Sequence, residues 1–174
     1  MDLSGSTFEE CDLDQLIAHE AKLQGARWLR TRVRGLNAPV LPAPRSALRE
    51  VRIEGSRLGA AELYESELDN VVISSCKITW LNLRSAKLKD VLVEGCVVDE
   101  LDLGQARAER VSFEDARVGT ILFGGARMRA VDLRGLEMRT IGGLESLRGT
   151  VVTRDQLQSL AQLFADHFGM IVSE

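Results

Sequence analysis

The sequence lacks most of the features that assign a chain to a familiar functional class. No apolar run approaches the roughly 18 residues that a membrane-spanning helix needs. Residues 1–5 contain neither a basic segment nor an apolar one, so no secretory signal and no membrane association are expected, and a cytoplasmic location is predicted. The three cysteines, Cys11, Cys76 and Cys96, show no CxxC spacing, which predicts reduced thiols.

Motifs for catalysis and ligand binding are also missing. The histidines, His19 and His167, have no Cys or carboxylate at a metal-ligand spacing. The sequence contains no GxxxxGK, GxGxxG, GxSxG or HExxH motif. It therefore predicts neither an enzyme nor a cofactor or metal site.

Aromatic residues are scarce, at 5% of the chain, which suits a core too narrow for many large rings. The net charge of −4 is mild but unevenly distributed. Residues 1–20 hold six acids and no Lys or Arg, whereas residues 21–45 hold six bases and no acid. Neither segment resembles a charged tail, so composition alone identifies no partner.

What the sequence does contain is a five-residue repeat, whose positions we number i−2 to i+2. From Ser46 onward, positions i−2 and i are uncharged and almost all apolar. They alternate as in a strand, and the next two positions break the alternation as a turn would. Four short extended segments joined by corners would close a square coil. The centre residues are Leu48, Ile53, Leu58, Leu63, Leu68, Ile73, Ile78, Leu83, Leu88, Val93, Val98, Leu103, Ala108, Phe113, Val118, Phe123, Met128, Leu133 and Met138.

A square coil predicts a second period of 20 residues, and every fourth i−2 residue supplies it. Large residues follow large ones and small residues mostly follow small ones, as stacked coils require. We name the four faces after these series. The valine face has Val51, Val71, Val91, Val111 and Val131; the cysteine face has Ser56, Cys76, Cys96, Ala116 and Leu136; the leucine face has Ala61, Leu81, Leu101, Ile121 and Ile141; the alanine face has Ser66, Ala86, Ala106, Ala126 and Ser146.

Phrases such as Ala86-Lys87-Leu88 and Leu101-Asp102-Leu103 resemble the pentapeptide-repeat family, without a break in register over residues 46–140. The resemblance implies an all-β solenoid, a right-handed quadrilateral parallel β-helix with positions i and i−2 inside. We predict this fold for residues 1–150 in about seven coils, with irregular stretches at 14–20 and 36–45. A helix over residues 14–24 is the alternative for the first stretch, and the prolines of the second predict a bulging loop.

Residues 151–174 predict a cap, because a solenoid end exposes a sheet edge. Thr153 and Gln156 fit a capping box, and Gly169 suits the position after the last helical turn. The helix between them is expected to plug the last coil through one apolar face, from which Leu163 is excluded. The family resemblance implies a second interpretation, a homodimer seam. Residues 170–172 predict a short strand. The dimer candidates are Leu157, Leu160, Phe164 and Phe168, and the apolar face also includes Ala161.

Outward residues of the valine face are the candidates for partner binding. Val72 and Leu92 occupy i−1 in adjacent coils and are expected to touch, forming a small apolar patch. The alternative is that the 36–45 loop covers them. An incomplete acidic ladder lies beside the patch, composed of Glu54, Glu94, Glu114 and Asp132.

The sequence therefore favours a non-enzymatic scaffold that binds an unidentified protein. The family resemblance implies an alternative, a DNA-mimic protein that binds and protects or inhibits DNA gyrase, of the quinolone-resistance type. Mimicry needs a continuous acidic stripe, but Ser74 and Arg134 interrupt the ladder. Direct nucleic-acid binding is not expected either, because Trp28 of the basic segment 27–34 falls on an inward position. The alanine face is basic, with Lys87, Lys89, Arg107, Arg127 and Arg129.

Overall fold

The computed structural model describes residues 1–173, which form a parallel β-solenoid of about seven coils followed by one helix. Within these residues no helix is long and apolar enough to cross a bilayer. The strands are β1 (Thr7–Glu9), β2 (Asp12–Asp14), β3 (Arg27–Leu29), β4 (Arg32–Arg34), β5 (Asn37–Pro42), β6 (Ala47–Glu54), β7 (Arg57–Glu62), β8 (Glu67–Ser74), β9 (Lys77–Asn82), β10 (Lys87–Glu94), β11 (Val97–Asp102), β12 (Arg107–Glu114), β13 (Ala116–Leu122), β14 (Arg127–Arg129), β15 (Val131–Asp132), β16 (Leu136–Gly142) and β17 (Thr150–Val151).

The strands stack in register, one coil above another. An 11-stranded sheet runs in the order β1-β3-β6-β8-β10-β12-β15-β17 with β2, β4 and β14 beside it, and a six-stranded sheet runs β16-β13-β11-β9-β7-β5. The first sheet carries the alanine and valine faces, and the second carries the cysteine and leucine faces. Leu88 lies opposite Leu68 and Ala108, each 20 positions away, so the second period is confirmed.

The core consists of the positions that the repeat predicts. Every i−2 residue from Ser46 to Ser146 is buried, and so are the centre residues from Leu48 to Leu133 except the half-buried Met128. Trp28 faces inward, with its ring centroid 4.3 Å from that of Phe8. A filled interior of interlocking aliphatic side chains explains why the chain needs few aromatic residues.

Small polar residues on the cysteine face have a structural role inside this core. The Ser56 N–H donates to Cys76 Sγ (3.4 Å), and the Cys76 N–H donates to Cys96 Sγ (3.4 Å). Each thiol in turn donates to a backbone carbonyl, as Cys96 does to the Ile73 oxygen (3.3 Å). The column therefore satisfies buried backbone donors that would otherwise lack a partner.

The backbone conformation at each corner restricts which residue can occupy position i+2, two residues after each centre. Among the described residues, all 15 non-glycine residues with positive φ occupy position i+2, and 14 of them lie at three of the four corners; the exception is Glu20 in the first coil. Asn70 (φ 57°) and Asp90 (φ 55°) turn the chain from the alanine face to the valine face. From residue 40 onward, the corner after the cysteine face has no positive φ and accommodates residues that disfavour it, such as Trp80 and Thr120.

Both predicted irregular stretches keep the register of the coil, although residues 15–20 contain no strand and only an isolated bridge at Ile17. The expectation of a loop over 36–45 was wrong: β5 pairs with β7 in full register, from Asn37 opposite Arg57 to Pro42 opposite Glu62. Prolines fit here because β5 is the edge strand of its sheet, where a missing N–H is tolerated. The alternative of a helix over 14–24 was also wrong, since Ile17 forms a bridge to Asn37 and Leu13 pairs with Val33.

The charge asymmetry of residues 1–45 reflects coil stacking. The acidic first coil lies on the basic second coil, and Arg30 bridges Glu9 (2.8 Å) and Glu10 (3.0 Å). Arg34 lies 3.5 Å from Asp14 in the same way. These opposite charges are therefore structural neighbours in adjacent coils.

The helix α1 (Arg154–His167) caps the last coil. Thr153 and Gln156 form the predicted capping box, and Gly169 follows the helix with φ 66°. The Gln156 side chain also donates to the carbonyls of Leu133 (2.6 Å) and Leu136 (2.9 Å), which fixes the helix to the coil. Residues 170–173 have no regular secondary structure, so the predicted strand at 170–172 was wrong.

Candidate partner-binding surface on the valine face

The valine face is presented by the second halves of β6, β8, β10 and β12. Its i−2 valines are buried in the core, with Val71 at 0% exposure. Backbone pleating then directs positions i−1 and i+1 outward. Each outward position forms a column along the solenoid, with neighbours about 4.8 Å apart.

The i−1 column places the two predicted apolar residues together. Val72 lies directly opposite Leu92, and both are half-buried. Arg52 lies opposite Val72 on one side, and Ser112 lies opposite Leu92 on the other. The 36–45 segment belongs to another sheet as β5, so the expectation that it covers this patch was wrong.

The i+1 column holds three of the four predicted acids, which differ in whether a cation lies beside them. Glu94 lies opposite Glu114, and neither forms an ion pair with any side chain of residues 1–173. Glu54 lies one further coil away beyond Ser74, and Arg32 Nε is 3.9 Å from its Oε1.

Asp132, at i−1, is paired in a different way. The Arg134 guanidinium lies 2.7 Å from its Oδ2, and this hydrogen bond holds the pKa of Asp132 below its usual value. Glu54 and Asp132 therefore mark neutralised ends of the ladder, and the free negative charge is concentrated on Glu94 and Glu114.

An open groove of about 500 Å³ adjoins the apolar patch on its N-terminal side. Arg32 and Arg52, which are in-register neighbours, line it together with Asn70 and Val72. The sequence analysis did not assign Arg32 to the candidate site. The repeat already indicated this position, because residue 32 lies one coil before position 52 and two coils before position 72 in the i−1 column.

The valine face thus changes character along the solenoid. Toward the C-terminus it presents the in-register arginines Arg32 and Arg52, then the Val72–Leu92 patch, and then the Glu94–Glu114 pair. Such a surface offers apolar contact flanked by charges of both signs.

The thiols and histidines add no catalytic arrangement. The pKa of the Cys96 thiol lies above its ordinary value, because the neighbouring Cys76 thiol and burial both disfavour a thiolate. His19 and His167 are exposed and far apart in the fold. The part of the chain that the structure describes contains no group of three or more His, Cys, Asp or Glu side chains that could hold a metal ion.

The predicted dimer residues of α1 fall on two different sides of the helix. Leu160 is buried and Phe164 is half-buried against the core. Leu157 (51% exposed) and Phe168 (70% exposed) face away from it. Leu163, which the sequence analysis excluded from the inward face, packs against the core, so that exclusion was wrong.

Comparison with known proteins gives structural matches only. No protein-family profile matches the chain, and no curated protein matches it. HetL, a pentapeptide repeat protein involved in heterocyst differentiation regulation from the cyanobacterium Nostoc sp. strain PCC 7120, is 14% identical; the match covers 83% of this chain and 90% of HetL, with a TM-score of 0.40. Rfr23, a pentapeptide repeat protein from the cyanobacterium Cyanothece 51142, is 14% identical (87% and 91% covered, TM-score 0.33).

Full-length QnrB1, a plasmid-mediated fluoroquinolone resistance protein, is 10% identical (95% and 100% covered, TM-score 0.32). Likenesses at this level carry no information about function. The fold rests on the chain's own geometry: a five-residue repeat, coils in register at 20 residues, and buried i−2 and i positions. The chain has the pentapeptide-repeat fold.

Proposed function

We propose that this protein is a non-enzymatic scaffold that binds another protein through the valine face. The observation that supports it is the in-register pairing of Val72 and Leu92 on an outward column. Outward positions of this solenoid are mostly polar, and adjacent apolar side chains on a surface are typical of interaction sites. A cytoplasmic location is proposed together with this function.

The flanking charges describe the partner that fits. An apolar side chain of the partner covers Val72 and Leu92, and a cation of the partner lies against Glu94 and Glu114. Those two carboxylates are in-register neighbours with like charge, which is unfavourable until a cation neutralises them. Arg32 and Arg52 supply a site of opposite sign at the other end of the same surface.

Homodimerisation through α1 is the second part of the proposal. Leu160 and Phe164 pack against the coil, so the seam consists of Leu157 and Phe168 with the exposed residues Met170 and Ile171. Sedimentation analysis tests this directly. A dimer that Leu157→Ser with Phe168→Ser converts to a monomer supports the seam, and a monomeric wild-type protein contradicts it.

The DNA-mimic hypothesis has no observation of this structure in its favour. Glu54 and Asp132 are paired with arginines, and the adjoining alanine face is basic. The hypothesis stays testable by a DNA gyrase supercoiling assay with added protein, in which we expect no change in activity or in quinolone inhibition.

A matched pair of variants tests the valine face. The first variant, Val72→Lys with Leu92→Lys, disrupts the patch. The control, Val97→Lys with Leu122→Lys, places the same charges at i−1 positions of the cysteine and leucine faces. Wild-type and variant proteins are immobilised and used to enrich partners from the native host. We expect a protein that wild type and the control pair retain and the valine-face pair loses. Identical profiles for all three would contradict the proposal.

A further inference from the structure

The alanine face carries a column of cations that the valine-face site does not use. Lys87, Arg107 and Arg127 occupy i−1 in three successive coils and lie directly opposite one another. The i+1 column beside them contains Lys89, Glu109 and Arg129, also in register. Five cations and one acid therefore face outward within three coils.

The middle and last members of the i−1 column have no ionic partner among residues 1–173. Lys87 Nζ lies 2.5 Å from Glu67 Oε1, so its charge is largely satisfied. Glu109 pairs with Arg110 and lies 3.9 Å from Arg129. Arg107 and Arg127 pair with no carboxylate of the described chain, although they are like charges in register, an arrangement that is unfavourable in a sheet.

A groove of about 390 Å³ runs between the two columns. The cations and Glu109 form its walls, and its floor follows the strand backbone at Leu88 and Ala108, whose side chains are buried in the core. A second groove of about 420 Å³ continues along the same face and shares Lys87 and Lys89, but Glu67 and Asp69 line it. Arg27 and Arg49 line it too, so cations outnumber acids in both grooves, and the excess is larger in the C-terminal one.

We propose that this groove binds an extended acidic segment of another protein, with carboxylates on Arg107 and Arg127. Every second side chain of an extended segment points the same way, about 6.6 Å apart, and the long side chains of Arg107 and Arg127, neighbours about 4.8 Å apart in one column, can reach this spacing. This site is independent of the valine face, whose unpaired carboxylates, Glu94 and Glu114, would repel an acidic segment.

A single-stranded nucleic acid fits the same groove less well. Proteins that bind such strands without sequence preference use aromatic side chains as stacking platforms, and no aromatic residue lines this groove. Glu109 at its wall repels phosphate. A carboxylate segment needs only charge complementarity.

The test uses a fluorescent peptide of about nine residues in which glutamate alternates with leucine, spanning about 30 Å when extended. Anisotropy titrations compare wild type with Arg107→Glu plus Arg127→Glu. The control is Arg57→Glu plus Lys77→Glu, which makes the same charge change at in-register i−1 positions of the cysteine face. We expect the alanine-face pair to weaken binding by about tenfold or more, and the control by about threefold or less.

Amide NMR mapping on the wild-type protein needs no substitution. The largest peptide-induced shifts are expected at residues 87–89, 107–109 and 127–129. Three results would overturn the proposal: no binding to wild type, equal weakening in the control pair, or displacement of the peptide by oligothymidylate more readily than by unlabelled peptide.

Discussion

The alanine face and the valine face are built by the same strands, yet they present opposite surfaces. In β10, Lys87 and Lys89 point outward on the alanine face, and Leu92 and Glu94 do so on the valine face. Asp90, with φ 55°, turns the strand between them. A few residues along one strand therefore separate a cationic groove from an apolar and acidic surface.

The interior beneath the two faces does not share this difference. Leu88, Val91 and Val93 are all buried and lie opposite residues of the same kind in the neighbouring coil. Inward positions are restricted by stacking, whereas outward positions are restricted mainly by their neighbours in the column. The two faces therefore present different surfaces only through their outward positions, and both proposed binding sites lie there.

The largest expected effect on stability comes from the corner that separates the two faces. Asn70→Val places a β-branched residue at φ 57° and is expected to lower the free energy of unfolding by about 2 kcal/mol. Glu100→Val is the control, because it lies at i+2 of the corner without positive φ and is expected to change stability by less than about 0.5 kcal/mol. Urea unfolding measures both, and equal losses would contradict this account of the corners.

An intermediate effect is expected from the interior that supports both faces. Cys76→Ala removes the acceptor of the buried Ser56 N–H and should lower the free energy of unfolding by about 1–2 kcal/mol. Cys76→Ser retains an acceptor, as Ser56 does for the Leu36 N–H (3.1 Å), and should be less destabilising. If alanine were the milder substitution, packing rather than hydrogen bonding would govern this column.

The smallest expected effect is a change in Tm, whose sign distinguishes an arginine of a binding surface from one that stabilises the coil. Arg107→Glu replaces a stack of like charges by alternating ones, so we expect Tm to rise by about 1 °C in the absence of a partner. Arg30→Glu, made where opposite charges already alternate, should lower Tm instead. Calorimetry measures both, and a fall for Arg107→Glu would indicate that this arginine stabilises the coil.

Much of the fold could be predicted because the repeat specifies inward positions directly. The register that gives the valine column also placed Val72 against Leu92. The prolines of β5 were misjudged, since only the three-dimensional fold shows that this strand lies at a sheet edge. Leu163 was misjudged because the inward side of α1 is set by polar Gln156, which an apolar stripe does not reveal.

The candidate site was less accessible to sequence for a related reason. Register predicts which acids share a column, but not how far side chains reach between columns. Arg32 reaches from the i−1 column toward Glu54 in the i+1 column, and Arg134 folds back on Asp132. These ion pairs reduce a ladder of four acids to one free pair, Glu94 and Glu114.

Photo-crosslinking in the native host tests most directly whether the valine face is a partner surface. A photoreactive amino acid replaces Ser112, which adjoins Leu92 in the i−1 column, and in a control it replaces Val97 on the cysteine face. The account predicts a discrete crosslinked protein from position 112, absent from position 97 and lost when Val72→Lys and Leu92→Lys are added. No crosslink from position 112, or the same products from both positions, would contradict it.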